Sequence, residues 1–466
     1  MEPKVRARVG LLTTGHQYYW DQYPGLRGMG LNMCAQLRGM LGQYADLVTT
    51  ELIDTQEKAA AAGRAFRDAD VDLIVIFPVG YTPSMNMLPA VRDLDVPLCI
   101  LNAHEDRSYD YATADTALYL HHEGICAVPE FAGALVATNR RFRVLTGHFD
   151  DPVLQARLRA DFAGAAAARF VRSMNVGLIG QVYTHMADMP FDEHRWLRAT
   201  GRMLVRPEVE EIQNAFGEVT EKQLSAMYHE IRGMYDVDST VTDEHLRFSA
   251  QAAIAYEQVI RRHNISAFGY YWWGEQDAVT QLRAQSGLAV SRLASLGCPG
   301  VTEGDVKSAI AMKILDLFGG YGMFVEFFAM NLEDGSLLMG HDGPSNIRVA
   351  AGRSRVTHLA THHGKSGHGL GIDFEVRPGP VTMLNLTQFT KGDTFKVIYS
   401  VADVESGPTL SIGNPNCRVR VRRPLPEFMD AWCQQGPSHH VALGLGDHGP
   451  ALESFAGAMG FQLERV

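Results

Sequence analysis

Two glutamates and three histidines are the residues of this chain best suited to chemistry. Glu303 lies in the Gly-rich stretch GCPGVTEGD, and Glu326 interrupts the apolar run FVEFF. His341 follows the next strand, and the doublet His439-His440 follows Gly436-Pro437-Ser438. A carboxylate inside a buried strand is costly unless it is paired or bound to a metal. Two carboxylates with two imidazoles form a mixed oxygen and nitrogen donor set, suited to Mn²⁺, Mg²⁺ or Co²⁺ rather than to a thiolate zinc site. The spacing matches no short zinc motif. On residue types alone, Glu326 could equally face solvent, and His341 could be a hydrogen-bonded turn residue.

These residues need elements to hold them. Phe324, Val325, Phe327 and Phe328 read as a strand, with a turn at Glu333-Asp334-Gly335 and a return through Leu337-Leu338-Met339. The first third alternates strand and helix signals. Val9–Leu12, Val71–Phe77 and Pro97–Leu101 are apolar runs, separated by helix candidates at Gly25–Tyr44 and Ser84–Asp93. Such alternation implies a parallel sheet, with ligands gathering beyond the carboxyl ends of its strands. A second α/β block starts near Asn175, with helices expected over Glu221–Tyr235, Asp243–His263 and Asp277–Leu293, and another through Ala309–Leu315. After about residue 320, short strands and Gly/Pro turns dominate, among them Gly371–Val376, Val381–Leu386 and Thr394–Val401. The expected fold is therefore α/β: two Rossmann-like parallel-sheet α/β domains, 1–173 and 174–320, then a C-terminal antiparallel β-barrel domain, 321–466.

Composition narrows the partners. The net charge of −11 argues against nucleic acid and against an anionic membrane surface. The start, MEPKVRARVGLL, is charged and short of apolar length, so no signal peptide is expected, and no apolar stretch approaches a membrane span. The six cysteines form no CxxC pair, which fits reduced thiols in a cytoplasmic protein.

Several blocks, in order, resemble the L-arabinose isomerase family within the L-arabinose/L-fucose isomerase group. They are SGLAVSRLASLGCPGVTEGDVKSAIAMKIL (Ser286–Leu315), GGYGMFVEFFAMNLEDGSLLMGHDGPSN (Gly319–Asn346), GPSHHVAL (Gly436–Leu443) and FRVLTGHFDD (Phe142–Asp151). The resemblance is looser before residue 140. It implies metal ligation, with Mn²⁺ as the first expectation, by Glu303, Glu326, His341 and His440. It also implies proton transfer by Glu303 and Glu326, and a contact from His439 to a substrate hydroxyl. The implied reaction moves hydrogen between C1 and C2 of an open-chain sugar, and a hydride shift would need the same ligands. The implied assembly is a homo-hexamer or homo-tetramer with active sites between subunits. Asp305, two residues past Glu303, either orients that glutamate or caps the following helix.

The expected substrate contacts depart from the family pattern. His16-Gln17 stands where the family has Gln-His. Glu123 and Cys126 stand where Gln and His are usual, and Asp342 replaces a usual Met. Tyr19, Tyr81 and Tyr183 fall near expected sugar contacts. So does Trp272, in the aromatic loop FGYYWWGEQD (Phe268–Asp277), where stacking on a sugar and packing at a domain interface are equal readings. Glu123 and Asp342 would disfavour a sugar phosphate, so a neutral pentose, hexose or related sugar is expected. The alternatives are an epimerase or isomerase of another ketose or cyclic polyol on the same site, or a non-catalytic sugar-binding homologue.

Overall fold

The computed structural model describes residues 5–272, 278–358 and 369–466. The chain divides into two compact units. One contains residues 5–169 with Pro450–Met459, and the other contains Phe170–Gly449 with Gly460–Val466.

The first unit is built on five parallel strands: β1 (Arg8–Thr14), β2 (Asp46–Thr49), β3 (Leu73–Pro78), β4 (Leu98–His104) and β5 (Phe142–His148). Their order is β2-β1-β3-β4-β5. Alternate residues feed two separate cores. Val9, Leu11, Val75 and Phe77 face one, and Leu12, Ile74 and Ile76 face the other. A sheet covered on both faces needs such unbroken apolar runs, and they are what made these strands readable. Helix Gln56–Asp68 starts at Thr55, whose hydroxyl accepts from the Lys58 amide.

The second unit opens with β6 (Asn175–Gly180), β7 (Asp236–Val237), β8 (Ile265–Tyr271) and β9 (Gly300–Val301). Of these, β6, β8 and β9 make a small parallel sheet in that order. Next come β10 (Met323–Asn331), β11 (Ser336–Gly340), β12 (Arg355–His358), β13 (Leu370–Asp373), β14 (Gly379–Thr387), β15 (Lys396–Glu405), β16 (Asn416–Val421), β17 (His440–Leu445) and β18 (Gln462–Arg465). Six of them form a closed antiparallel barrel in the order β14-β17-β10-β11-β16-β15, with β15 pairing back onto β14. Closure removes the exposed edges of an open sheet. β18 joins β15 in parallel.

One segment sits elsewhere than expected. The pattern from Gly371 predicts a strand of the C-terminal β domain, but β13 pairs with β12, and β12 pairs in parallel with β7. Leu370 and Ile372 are buried with helix Ala278–Ser295 instead of lining the barrel. Alternation shows which face of a strand is apolar, but not which partner covers it.

Helix Val306–Leu317 is buried on every side from Val306 to Asp316, including Lys307 and Lys313. A helix with no solvent face is a central element, and this one follows Glu303 directly. All six cysteines are free. Among the described residues no helix is long and apolar enough to cross a membrane.

Candidate metal centre

The barrel explains the carboxylate in the apolar run. β10 lies between β11 and β17, with Glu326 opposite Gly340 on one side and His440 on the other. Cross-strand partners project to the same face, so Glu326 and His440 share one side of the sheet. His341 follows directly on Gly340. A bulge between Phe327 and Ala329 absorbs one residue of the apolar run, which is why the run breaks strict alternation.

Glu303 reaches the same place from the end of β9. It adopts φ +62°, and Gly304 follows at φ +71°. A Cβ on Gly304 would stand 2.5 Å from the Gln181 carbonyl, so the close approach of the β6 loop requires glycine there. The Tyr183 amide donates to the Glu303 carbonyl at 2.8 Å. A left-handed glutamate is strained, by about 1–3 kcal/mol, and such residues collect at functional sites.

Donor atoms of Glu303, His341 and His440 lie within 4.8 Å of one another, as do those of Glu326, His439 and His440. The four expected ligands are thus brought together around His440, which is fully buried. The Phe324 ring lies 4.3 Å from the rings of both His341 and His440, forming an apolar wall.

The hydrogen bonds assign the ring tautomers. His341 Nδ1 is 2.6 Å from the Asp342 carbonyl, and His440 Nδ1 is 3.0 Å from Asp305 Oδ2. Both partners are acceptors, so each Nδ1 carries a proton and each Nε2 is turned into the site. Those two Nε2 atoms stand 3.2 Å apart. Burial, reinforced by His440, pushes the His341 imidazole down to about 3. Glu303 Oε2 lies 3.5 Å from His440 Nε2, is buried and makes no hydrogen bond. Two ring nitrogens and an orphaned carboxylate oxygen converging this closely make a ready donor set for a cation. The residues present therefore fit a divalent ion held by two imidazoles and two carboxylates.

Electrostatics set the two carboxylates at the start of the long buried helix apart. Burial raises the Glu303 carboxyl above its ordinary range, helped by Glu326 and Asp305 and opposed by His440 and His439. Burial acts the same way on Asp305, but Lys307 and bonds from His440 and Ser308 outweigh it and hold Asp305 well below the usual carboxylate range. Both readings of Asp305 meet in part. It caps the helix by accepting from the Ser308 amide, and it orients a neighbour, though that neighbour is His440 and not Glu303.

His439 is half-exposed, and its ring and backbone amide both donate to Asp188 Oδ2, at 2.6 and 2.8 Å. Tyr183 stacks edge-on against Tyr271 at 5.2 Å. Asp342 contributes the carbonyl that orients His341. Trp272 is 6% exposed and sits in the core against Tyr256 and Tyr270, so its surroundings favour packing over a sugar contact. Residues 273–277, the remainder of that aromatic loop, lie outside the described residues.

The other expected contacts lie in the first unit. His16 is 4.9 Å from Tyr19 and 6.1 Å from Tyr81, ring to ring, beyond the carboxyl ends of β1 and β3. Glu123 accepts from the Tyr119 hydroxyl at 2.5 Å and acts electrostatically on His16, whose imidazole burial lowers. The Tyr81 hydroxyl donates to Glu130 at 3.0 Å, and Gln17 is exposed.

Asp188 and Lys307 went unread in the sequence. Asp188 sits in the loop after β6, a position where the carboxyl-end rule would have searched. Lys307 is a lysine in a helix with no polar face, and that is itself a signal.

Comparison with known proteins agrees with this layout. Residues 201–320 match the L-arabinose isomerase central domain, and residues 321–462 match the L-arabinose isomerase C-terminal domain. The chain is 22% identical over 400 residues to an L-arabinose isomerase of Nocardioides sp., covering 83% of this chain and 78% of the relative. Similar proteins include the L-arabinose isomerases of Acidothermus cellulolyticus, at 22% over 400 residues (82% and 78%), and Clostridium beijerinckii, at 21% over 407 residues (86% and 82%).

Proposed function

The chain belongs to the L-arabinose isomerase family, and from that premise we propose a divalent-metal-dependent aldose–ketose isomerase acting on a neutral sugar. The observation that carries the metal dependence is the pair of Nε2 atoms 3.2 Å apart, beside the unpartnered Glu303 oxygen. Mn²⁺ is the ion we propose, with Mg²⁺ or Co²⁺ able to meet the same donors. When bound, such an ion supplies Lewis-acid polarisation of the sugar's carbonyl and neighbouring hydroxyl oxygens.

The protein's own groups do the rest. Isomerisation needs a base to take the proton from C2 of the aldose, leaving the electron pair in a C1–C2 double bond while O1 gains a proton. Returning a proton to C1 as the O2 hydroxyl loses its own gives the ketose. Glu303 and Glu326 are the proton carriers we assign. Without an ion, burial raises the Glu303 carboxyl above its ordinary range, which favours proton uptake. His439, with Nδ1 committed to Asp188, offers Nε2 to a sugar hydroxyl. Phe324 helps keep water from the inner side of the site.

The substrate proposal rests on the family resemblance alone, which sets the acidic Glu123 and Asp342 at substrate-facing positions. They disfavour a phosphorylated or carboxylated sugar and leave the choice among neutral pentoses, hexoses and related sugars. The proposed assembly, a homo-hexamer or homo-tetramer with sites between subunits, rests on the family resemblance alone. A panel of free and phosphorylated sugars, run with Mn²⁺ and then with chelator, tests the reading. Turnover of a neutral sugar that chelator abolishes is expected. Activity confined to a phosphorylated ketose, or indifferent to chelator, would overturn it.

A further inference from the structure

Neither histidine of the inner pair is held by a complete strand ladder. His341 comes one residue after the last pair of β11 and β16, Gly340 with Asn416. His440 opens β17, and on its β14 side the pairing runs only from Val381–Leu445 to Leu384–Ala442, two residues short of it. Ladder ends fray, and a carbonyl left there needs another partner. At both places an asparagine side chain supplies one. Asn385 Nδ2, from β14, donates to the His440 carbonyl at 2.7 Å and lies 3.0 Å from both the carbonyl and the hydroxyl oxygen of Ser438. Asn414 Nδ2, from the loop before β16, donates to the His341 carbonyl at 3.0 Å.

Both asparagines are buried. Asn385 interrupts the apolar run of β14, which is buried from Val381 to Thr387, and asparagine is disfavoured in such a strand. Acceptors crowd one end of its amide, which fixes that end as nitrogen, and its Oδ1 is buried with no hydrogen-bond partner. A buried polar atom without a partner is destabilising, so packing alone does not account for the residue. Its bonds do, because they grip the backbone on both sides of His439. Thr387, two residues on and on the same face, adds a bond from its hydroxyl to the Gly436 carbonyl at 3.0 Å. The stretch from Gly436 to His440 thus hangs from β14. Asn414 is braced in turn. Its carbonyl accepts from Asn416 Nδ2 at 3.0 Å, and the Asn416 side chain also bonds the Leu410 amide and carbonyl, each at 2.9 Å.

We propose that Asn385 and Asn414 are positioning residues for the metal centre, setting the backbone from which His440 and His341 reach the ion without touching it themselves. The role rests on the divalent-metal reading above. Asp305 and the Asp342 carbonyl already orient the two rings at Nδ1. A bond to the ring fixes its rotation, and a bond to the carbonyl fixes where the side chain starts. Ligand geometry needs both.

Calorimetric titration of the full chain with Mn²⁺ tests the role. Asn385→Leu and Asn414→Leu should each weaken Mn²⁺ binding by about tenfold. Asn385→Ala, which cannot overfill the site, should show the same loss. Thr382→Val is the control. Thr382 is buried on the same β14, and its hydroxyl donates to the Gly446 carbonyl at 2.7 Å and accepts from the His448 amide at 2.9 Å, beyond the other end of β17. That variant should melt lower with its Mn²⁺ affinity unchanged. Parent-like Mn²⁺ binding by the variants of either asparagine would overturn the role of that residue, and an equal loss in Thr382→Val would overturn both roles, with the metal reading left standing. A parent chain that binds no Mn²⁺ would overturn the metal reading and the positioning roles together.

Discussion

Lys307 Nζ lies 3.3 Å from Asp305 Oδ1, and neither side chain has exposed surface. The same ammonium donates to the Met189 carbonyl at 3.1 Å, one residue past Asp188. Asp188 holds His439 and Asp305 holds His440, so one buried cation ties together the two segments that aim the histidine doublet. Removing one partner of a buried pair costs about 3–5 kcal/mol, because the other charge is left without compensation. Lys307→Met should lower the urea midpoint accordingly. Adding Asp305→Asn should recover much of that loss, since the stranded charge is gone. It should still leave Mn²⁺ affinity about 10–100-fold down, because His440 has lost its anionic acceptor. Recovery of both quantities would show that the pair stabilises the fold without orienting the ligand.

Glu326 is the simplest residue to test. Gln is nearly the same size and can keep the cross-strand position opposite His440, but it neither carries the proton nor ligates as an anion. Glu326→Gln should cut turnover by at least about 10²–10⁴-fold while the melting curve barely moves. Full activity in this variant would remove Glu326 from the chemistry.

Asp188→Ala separates two roles for His439. Its donor atoms fall within ligand distance of Glu326 and His440, yet its ring is committed to Asp188 and half-exposed. As a sugar contact, His439 freed from Asp188 should cost about 10–100-fold in kcat/KM, with Mn²⁺ affinity unchanged. A fall of about 10–100-fold in metal affinity would instead make His439 a ligand.

Much of this was legible because it is written in residue types and order. The apolar runs of β1, β3 and β4 announce a sheet covered on both faces. Glu303, Glu326, His341 and the doublet His439-His440 draw notice by residue type, and the family resemblance is what makes ligands of four of them. What stayed hidden depends on long-range partners. Alternation in Leu370–Asp373 identifies a strand but not that β12 and β7 pair beside it. The aromatics around Trp272 fit stacking or packing equally well until Tyr256 is seen beside the ring. Asp188 is one of two acids in its loop, and only the fold puts it beside His439, 251 positions later.

The first unit should lose stability on mild acidification. His104 and His122 stack with ring centroids 5.9 Å apart, and burial lowers both imidazoles below the ordinary 6.5. His121 lowers both further, and each ring also lowers with another nearby histidine, while Asp106 pulls the other way. Asp106 Oδ2 is 3.0 Å from His122 Nε2 but not aligned for a hydrogen bond. In the unfolded chain both imidazoles take a proton near 6.5. The folded chain binds fewer protons, so stability held above 6.5 is lost as pH falls through the depressed folded values. Urea midpoints measured from pH 7.5 down to about pH 5 should decline, and His122→Phe, which keeps a ring in the stack, should decline less steeply. Parallel slopes for parent and variant would acquit His122.

Metal binding should show itself in stability as well as in rate. The two Nε2 atoms and Glu303 Oε2 face one another at short range. A ligand that binds only the folded chain stabilises it by about 2.7 kcal/mol at a hundred times its Kd, so the melting temperature should climb with Mn²⁺ and fall back with chelator. His341→Leu removes one lone pair and leaves an apolar group against Phe324. Its metal-free melting temperature should stay near that of the parent, because a buried imidazole gives way to an apolar group, while its response to Mn²⁺ should disappear. A variant that melts much lower without metal, yet still rises with Mn²⁺, would mean that His341 serves the barrel and that the ion is held elsewhere.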